Sequence, residues 1–123
     1  MRQLVHVYMA LFLLIAVPLT AADLSGNYQA SGTNPGGKGS YTGTVQIAKN
    51  GDSYRIAWDV GTRYVGTGIV TGEYFSVAYA DTGGKWFGVV VCKIMQDGKR
   101  LEGEWCGHNG PLLGKETLTR ITE

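Results

Sequence analysis

This sequence has no clear excess of basic or of acidic residues. Its 11 lysine and arginine residues are balanced by 10 aspartate and glutamate residues, which leaves a net charge of +1 at neutral pH. Proteins that bind nucleic acid or an anionic membrane surface use an excess of basic side chains. The balance therefore argues against both as the main partner, and we expect no nucleic-acid binding.

Histidine and cysteine are also scarce, with two of each. His108 is the only histidine beyond the N-terminal segment, and no serine stands in a recognisable nucleophile motif. The spacing of Cys92, Cys106 and His108 matches no common zinc pattern. Glu102 and Glu104 belong to the outer face of one predicted strand, which disfavours a glycosidase carboxylate pair. We therefore expect no enzyme, no metal site and no cofactor.

The sequence has one extended apolar segment, which lies at the N-terminus. Arg2 precedes a mostly apolar stretch from residue 4 to residue 17, and the small residues Thr20, Ala21 and Ala22 follow. This order is typical of a secretory signal peptide, and the run is short for a membrane span. We predict a signal peptide over residues 1–22 and one exported domain over residues 23–123, periplasmic or extracellular, without membrane insertion.

Proline is rare, whereas glycine is abundant, with 3 and 19 residues respectively. Together with frequent threonine, valine and tyrosine and no convincing helical period, this predicts strands joined by tight turns. Because most connections are short, consecutive strands should be antiparallel neighbours. The predicted strands cover residues 24–31, 41–48, 53–60, 64–70, 74–79, 86–95, 99–106 and 115–121.

Three hairpins repeat one design at intervals of roughly 22 residues. Their turns are predicted at Asn50-Gly51, Gly72-Glu73 and Asp97-Gly98. In the first two, the register places a glycine opposite a large ring, which relieves crowding inside a strongly curved sheet. The predicted pairs are Gly43 with Trp58, Gly66 with Tyr79, and Val90 with Trp105.

An open meander of this size would leave two unprotected sheet edges, and pairing the eighth strand with the first removes both. We therefore predict an all-β fold, an eight-stranded up-and-down antiparallel barrel, whose interior holds side chains or one small ligand. The alternative is a two-sheet β-sandwich, which would need long crossover connections that the sequence lacks.

A disulfide is a common feature of exported proteins. The predicted register places Cys92 opposite Gly103 and turns Cys106 to the other face, which separates their Cα atoms beyond the ~7 Å limit for a bridge. A bulge in either strand would make the bridge possible, so both states stay open at this point.

Two sets of side chains are candidate binding residues. The inner face carries aromatic side chains with polar tips, which suit a small amphipathic ligand or else form a packed core. On strands four to six, outward positions are apolar, which predicts a two-fold dimer interface unless a loop or terminus covers them. The ligand-binding candidates are Tyr28, Tyr54, Trp58, Tyr64, Tyr79 and Trp105, and the oligomer-interface candidates are Val65, Ile69, Phe87, Val89 and Val91.

The first and last strands resemble those of the calycin superfamily, which includes avidins and lipocalins. The residues are Gly26-Asn27-Tyr28, where that family has Gly-x-Trp, and Arg120, where it has a basic residue that packs across the ring. The repeated hairpins also resemble a group of small exported bacterial proteins, some of them labelled fibronectin-binding. The calycin resemblance implies that Arg120 packs over Tyr28 and that residues 32–40 form a lid, although a plain connector is the alternative.

These observations favour a non-enzymatic binding module that holds a small apolar or aromatic ligand in the barrel interior or mouth. The alternative is a protein–protein interaction module, adhesin-like or homo-oligomeric, that uses the outer barrel wall.

Overall fold

The computed structural model describes residues 22–122, and residues 1–21 of the predicted signal peptide lie outside this range. Eight strands form one closed antiparallel barrel, in which each strand pairs with the next and β8 pairs with β1. The predicted up-and-down barrel is thereby confirmed over the sandwich. The strands are β1 (Gly26–Thr33), β2 (Ser40–Asn50), β3 (Ser53–Asp59), β4 (Arg63–Thr71), β5 (Tyr74–Asp81), β6 (Phe87–Met95), β7 (Arg100–Gly107) and β8 (Gly114–Arg120).

Two of the three predicted hairpin registers are confirmed. Gly66 on β4 pairs with Tyr79 on β5, and Val90 on β6 pairs with Trp105 on β7. The connection between β6 and β7 is longer than the predicted two-residue turn. Strand pairing ends at Met95 and Arg100, so residues 96–99 form the connection. The glycine-opposite-ring arrangement therefore holds at β4–β5, where a Cβ atom on Gly66 would lie 3.1 Å from the Trp58 ring as well.

The predicted register of the β2–β3 hairpin is wrong by two residues. Asn50 pairs with Ser53, so Val45 and not Gly43 lies opposite Trp58. The turn residues are Gly51 and Asp52, and only Gly51 has a positive φ, +64°, as in a type II′ turn. A shift of two residues leaves every side chain on its original face, so the apolar pattern could not distinguish the two registers.

One end of the barrel is closed by the N-terminal segment. Leu24 and Tyr28 are fully buried there. The guanidinium carbon of Arg120 lies 5.4 Å from the centre of the Tyr28 ring, and its Nη2 donates to the Tyr28 hydroxyl over 2.8 Å. Arg120 Nη2 also lies 2.8 Å from the Asp23 carbonyl oxygen. The predicted packing of Arg120 over Tyr28 is confirmed, and it fixes the last strand to the first.

The two cysteines lie on opposite faces of the barrel wall. Cys92 is buried inside, opposite Gly103, whereas Cys106 pairs with Val89, whose side chain is exposed outside. Both thiols are free. The register keeps them apart, and no bulge shifts the strands between them.

Candidate functional site

The other end of the barrel is open. The connections β1–β2, β3–β4, β5–β6 and β7–β8 all lie at this end, as the up-and-down topology requires. A cavity of about 540 Å³ is lined by residues from all four of them and from the barrel interior. The glycine-rich β1–β2 connection borders the cavity through Asn34 and Pro35, and Gly36 donates its N–H to the Leu113 carbonyl over 3.3 Å. A volume of this size is typical of small-molecule sites.

Aromatic side chains account for six of the fifteen residues that line the cavity. The Tyr79 ring lies 5.6 Å from Tyr64, 6.0 Å from Trp58 and 6.5 Å from Trp105, measured between ring centroids. The rings meet edge to face or tilted, which their quadrupoles favour. All three tryptophans of the sequence line this one cavity. The six aromatic lining residues are Tyr41, Trp58, Tyr64, Tyr79, Trp86 and Trp105.

Glycines on neighbouring strands make room for these rings. Gly88 pairs directly with Tyr79, and Gly114 with Trp105. A Cβ atom on Gly88 would lie 2.7 Å from the Tyr79 hydroxyl, and one on Gly114 would lie 2.5 Å from the Trp105 ring. A larger residue at either position would displace the ring from the wall, so the shape of the cavity depends on these pairs.

Glu116 brings a carboxylate into this aromatic wall. It is 6% exposed and is the only charged side chain buried within residues 22–122. Its Oε1 accepts a hydrogen bond from Trp58 Nε1 at 3.0 Å, and its Oε2 accepts one from the Tyr41 hydroxyl at 2.7 Å. Burial raises the pKa of Glu116, and the two donors partly offset this because they favour the ionised form.

The titratable groups near Glu116 are held in their neutral forms. Burial raises the pKa of Tyr41, and the adjacent Glu116 charge raises it further. The same two causes raise the pKa of the Cys92 thiol to about 12. Burial also raises the pKa of Tyr79. Glu116 is therefore surrounded by uncharged hydroxyl, thiol and indole groups.

The structure brings four of the six predicted ligand-binding residues together around the cavity, namely Trp58, Tyr64, Tyr79 and Trp105. The other two lie in the closed half of the barrel. Tyr28 is fully buried beneath Arg120, and Tyr54 packs edge to face against Phe75 with ring centroids 5.6 Å apart. Strand alternation specifies the face of a residue but not its height along the barrel axis, so the pattern could not separate the two groups.

Sequence reasoning missed Tyr41, Trp86 and Glu116 as lining residues. Glu116 carried a usable signal, because it alternates with Leu118, whose side chain is buried on the inner face. Tyr41 lies at the start of β2, two residues before Gly43 and therefore on the same face. Trp86 precedes β6, and no strand pattern fixes its direction.

The five predicted oligomer-interface residues lie together on the outer wall. Each is about half exposed, from 47% for Val91 to 54% for Ile69. Between β4 and β6, strand β5 contributes the small residues Ala78 and Ala80, which pair with Val89 and Phe87. We call this surface the apolar patch; it consists of Val65, Ile69, Ala78, Ala80, Phe87, Val89 and Val91.

Within residues 22–122, no group of three histidine, cysteine, aspartate or glutamate residues is close enough to hold a metal ion. No helix there is both long and apolar enough to cross a membrane.

Comparison with known proteins gives the architecture only. No protein family profile and no curated protein matches the chain. A redesigned β-barrel superposes with a TM-score of 0.72 over 80% of this chain and 92% of its own, at 12% identity. Secretory abundant heat soluble protein 4 from Ramazzottius varieornatus superposes with a TM-score of 0.52 over 86% of this chain and 100% of its own, at 11% identity. At such identities the likeness shows the β-barrel fold alone.

Proposed function

We propose that this protein is an exported binding module whose open-end cavity holds one small apolar or aromatic molecule. The observation that carries the proposal is the gathering of six aromatic side chains around one cavity of about 540 Å³. Ligand sites are typically concave, mostly apolar and furnished with a few polar groups, and Glu116 and the tyrosine hydroxyls supply those groups here.

The contrast in packing within the barrel supports a ligand site over a packed core. The closed half is filled by Tyr28, Phe75 and Leu101, each no more than 1% exposed. Around the cavity, Tyr64, Trp86 and Trp105 are only partly buried. Large aromatic rings left in contact with an open cavity offer contact area and stacking partners to a ligand.

In this proposal the cavity binds its ligand without converting it chemically. The described cavity lining contains no histidine, serine, cysteine or lysine, and its single carboxylate is already engaged by two donors. Nucleophilic catalysis needs a nucleophile within hydrogen-bond reach of a base. Export is proposed from the signal-like order of residues 1–22.

A fluorescent probe tests the proposal directly. N-phenyl-1-naphthylamine, a neutral aromatic molecule, should bind the purified protein saturably with one molecule per chain and quench its tryptophan emission, since every tryptophan lines the cavity. Thr62→Phe places a ring at the mouth and should abolish binding, whereas Thr44→Phe, on the exposed outer face of β2, should leave it intact, and neither variant adds a tryptophan. Absence of saturable binding, or equal binding by both variants, would refute the proposed site.

A second function, self-association through the apolar patch, is favoured by the exposure of that patch. Contiguous apolar surface of this kind is characteristic of partner-binding sites. A two-fold axis parallel to the strands would place two patches face to face, with β4 of one copy over β6 of the other.

Light scattering at tens of micromolar tests the dimer. The wild type should have twice the monomer mass, and Val89→Glu should be monomeric, while Thr44→Glu, outside the patch, should remain dimeric. A monomeric wild type would refute self-association without affecting the cavity.

A further inference from the structure

We propose that the cavity selects cationic ligands, specifically small organic ammonium compounds, with Glu116 as the counter-ion and the surrounding rings as a cation-binding cage. This inference rests on the proposed binding function and names the chemical class of its ligand. It is carried by the position of one buried carboxylate within an otherwise uncharged aromatic cavity.

The lining of the cavity contains one charged side chain. Among the described lining residues, Glu116 is the only side chain with a formal charge, and neither lysine nor arginine faces it. A carboxylate removed from water loses hydration, and two neutral donors compensate this only in part. An ammonium group entering the cavity would supply the missing opposite charge, whereas a ligand carboxylate would meet repulsion.

Glu116 can accept more hydrogen bonds than its two protein donors supply. An ionised carboxylate has about four acceptor positions on its two oxygens. Trp58 and Tyr41 occupy one position on each oxygen, and they hold the side chain in a fixed orientation on the cavity wall. The remaining acceptor capacity suits an ammonium group, which offers several donors to a carboxylate.

Aromatic rings line the same cavity as Glu116. Tyr79 has Trp58, Tyr64 and Trp105 around it at 5.6 to 6.5 Å, with interplanar angles of 59° to 85°. All four of these residues line the cavity. A cation within about 6 Å of a ring face is attracted by its quadrupole, most strongly for tryptophan, and more so when water is excluded.

No other titratable group facing Glu116 competes with this role. Tyr41, Tyr79 and Cys92 are the titratable neighbours whose charge interacts with it, and burial raises the pKa of each. They stay neutral at neutral pH. The affinity for a cation should therefore follow the ionisation of Glu116 alone and fall as the pH is lowered through its pKa.

A matched ligand series tests the inference. Phenethylamine, 2-phenylethanol and 3-phenylpropanoate share one phenyl-alkyl body and differ in charge. By calorimetric titration at neutral pH, the wild type should prefer the amine to the alcohol by at least about tenfold and bind the carboxylate most weakly. Glu116→Gln should lower the ratio of amine to alcohol affinity to about one, while Glu104→Gln, on the exposed outer face, should keep the wild-type ratio.

A measurement on the wild type covers the case in which Glu116→Gln does not fold. Alkyl ammonium groups stay protonated below about pH 9, so any change in amine affinity between pH 4 and pH 8 comes from the protein. Amine affinity should rise with pH while alcohol affinity stays constant. Equal affinities for amine and alcohol, or a flat amine profile, would overturn the inference and leave the binding function standing; failure of the neutral probe to bind would overturn both.

Discussion

The two ends of this barrel use the same residue types for different purposes. At the closed end, Tyr28 is fully buried and its hydroxyl lies 2.8 Å from the Leu24 carbonyl oxygen and 2.8 Å from Arg120 Nη2. At the open end, Tyr64 is only partly buried and borders a cavity of about 540 Å³. The difference lies in what covers the rings: the N-terminal segment fills one end, whereas the loops of the other end leave space between them.

A tyrosine pair should show this contrast most strongly. Tyr28→Ala removes a fully buried ring and should lower the free energy of unfolding by about 3–5 kcal/mol, whereas Tyr64→Ala, at the open end, should cost about 1 kcal/mol. Urea denaturation midpoints measure both. Equal losses would contradict the distinction between a packed end and a binding end.

A glycine pair should have the next largest effect. A Cβ atom on Gly66 would lie 2.6 Å from the Ala78 carbonyl oxygen and 3.1 Å from the Trp58 ring, so Gly66→Val should cost on the order of 1–3 kcal/mol through overpacking. Gly110→Val is the control, because Gly110 has open space around it and no positive φ. An unchanged midpoint for Gly66→Val would count against the β4–β5 packing described here.

The smallest expected effect is a pH dependence at the open end. Because burial raises the pKa of Glu116 above its usual 4.5, the native state keeps this proton at pH values where the unfolded chain has lost it. The stability from this carboxyl is then complete below about pH 4.5 and declines as the pH rises through the native pKa.

Glu116→Gln cannot ionise, so its stability relative to the wild type should increase across that window. Thermal denaturation of both proteins from pH 4 to pH 8 measures this difference, and a constant difference would contradict the raised pKa.

Strand alternation and turn residues predicted much of the fold. They specified eight strands, the closed barrel, the β4–β5 and β6–β7 registers and the inward direction of Trp58, Tyr79 and Trp105. They could not specify the β2–β3 register, since a two-residue shift preserves both faces. The calycin resemblance alone suggested the contact of Arg120 with Tyr28.

The candidate site was harder to predict because a cavity is a property of depth and not of face. Tyr28 and Trp58 both point inward, yet only Trp58 reaches the open space. Depth depends on strand tilt and on the loops that cap each end, and a single strand pattern contains neither. Glu116 was missed because an inward carboxylate is rarely expected inside a barrel, although its alternation with Leu118 placed it there.

Nuclear magnetic resonance of nitrogen-15-labelled protein distinguishes small-molecule binding at the open end from binding at the closed end or on the outer wall. The indole N–H signals of Trp58, Trp86 and Trp105 report on the cavity, and the amides of Gly98 and Leu101 report on the closed end. On addition of N-phenyl-1-naphthylamine, the indole signals should shift saturably and the closed-end amides should not shift. Unmoved indole signals, or shifts concentrated at Val65 and Val89 on the outer wall, would refute binding in the cavity.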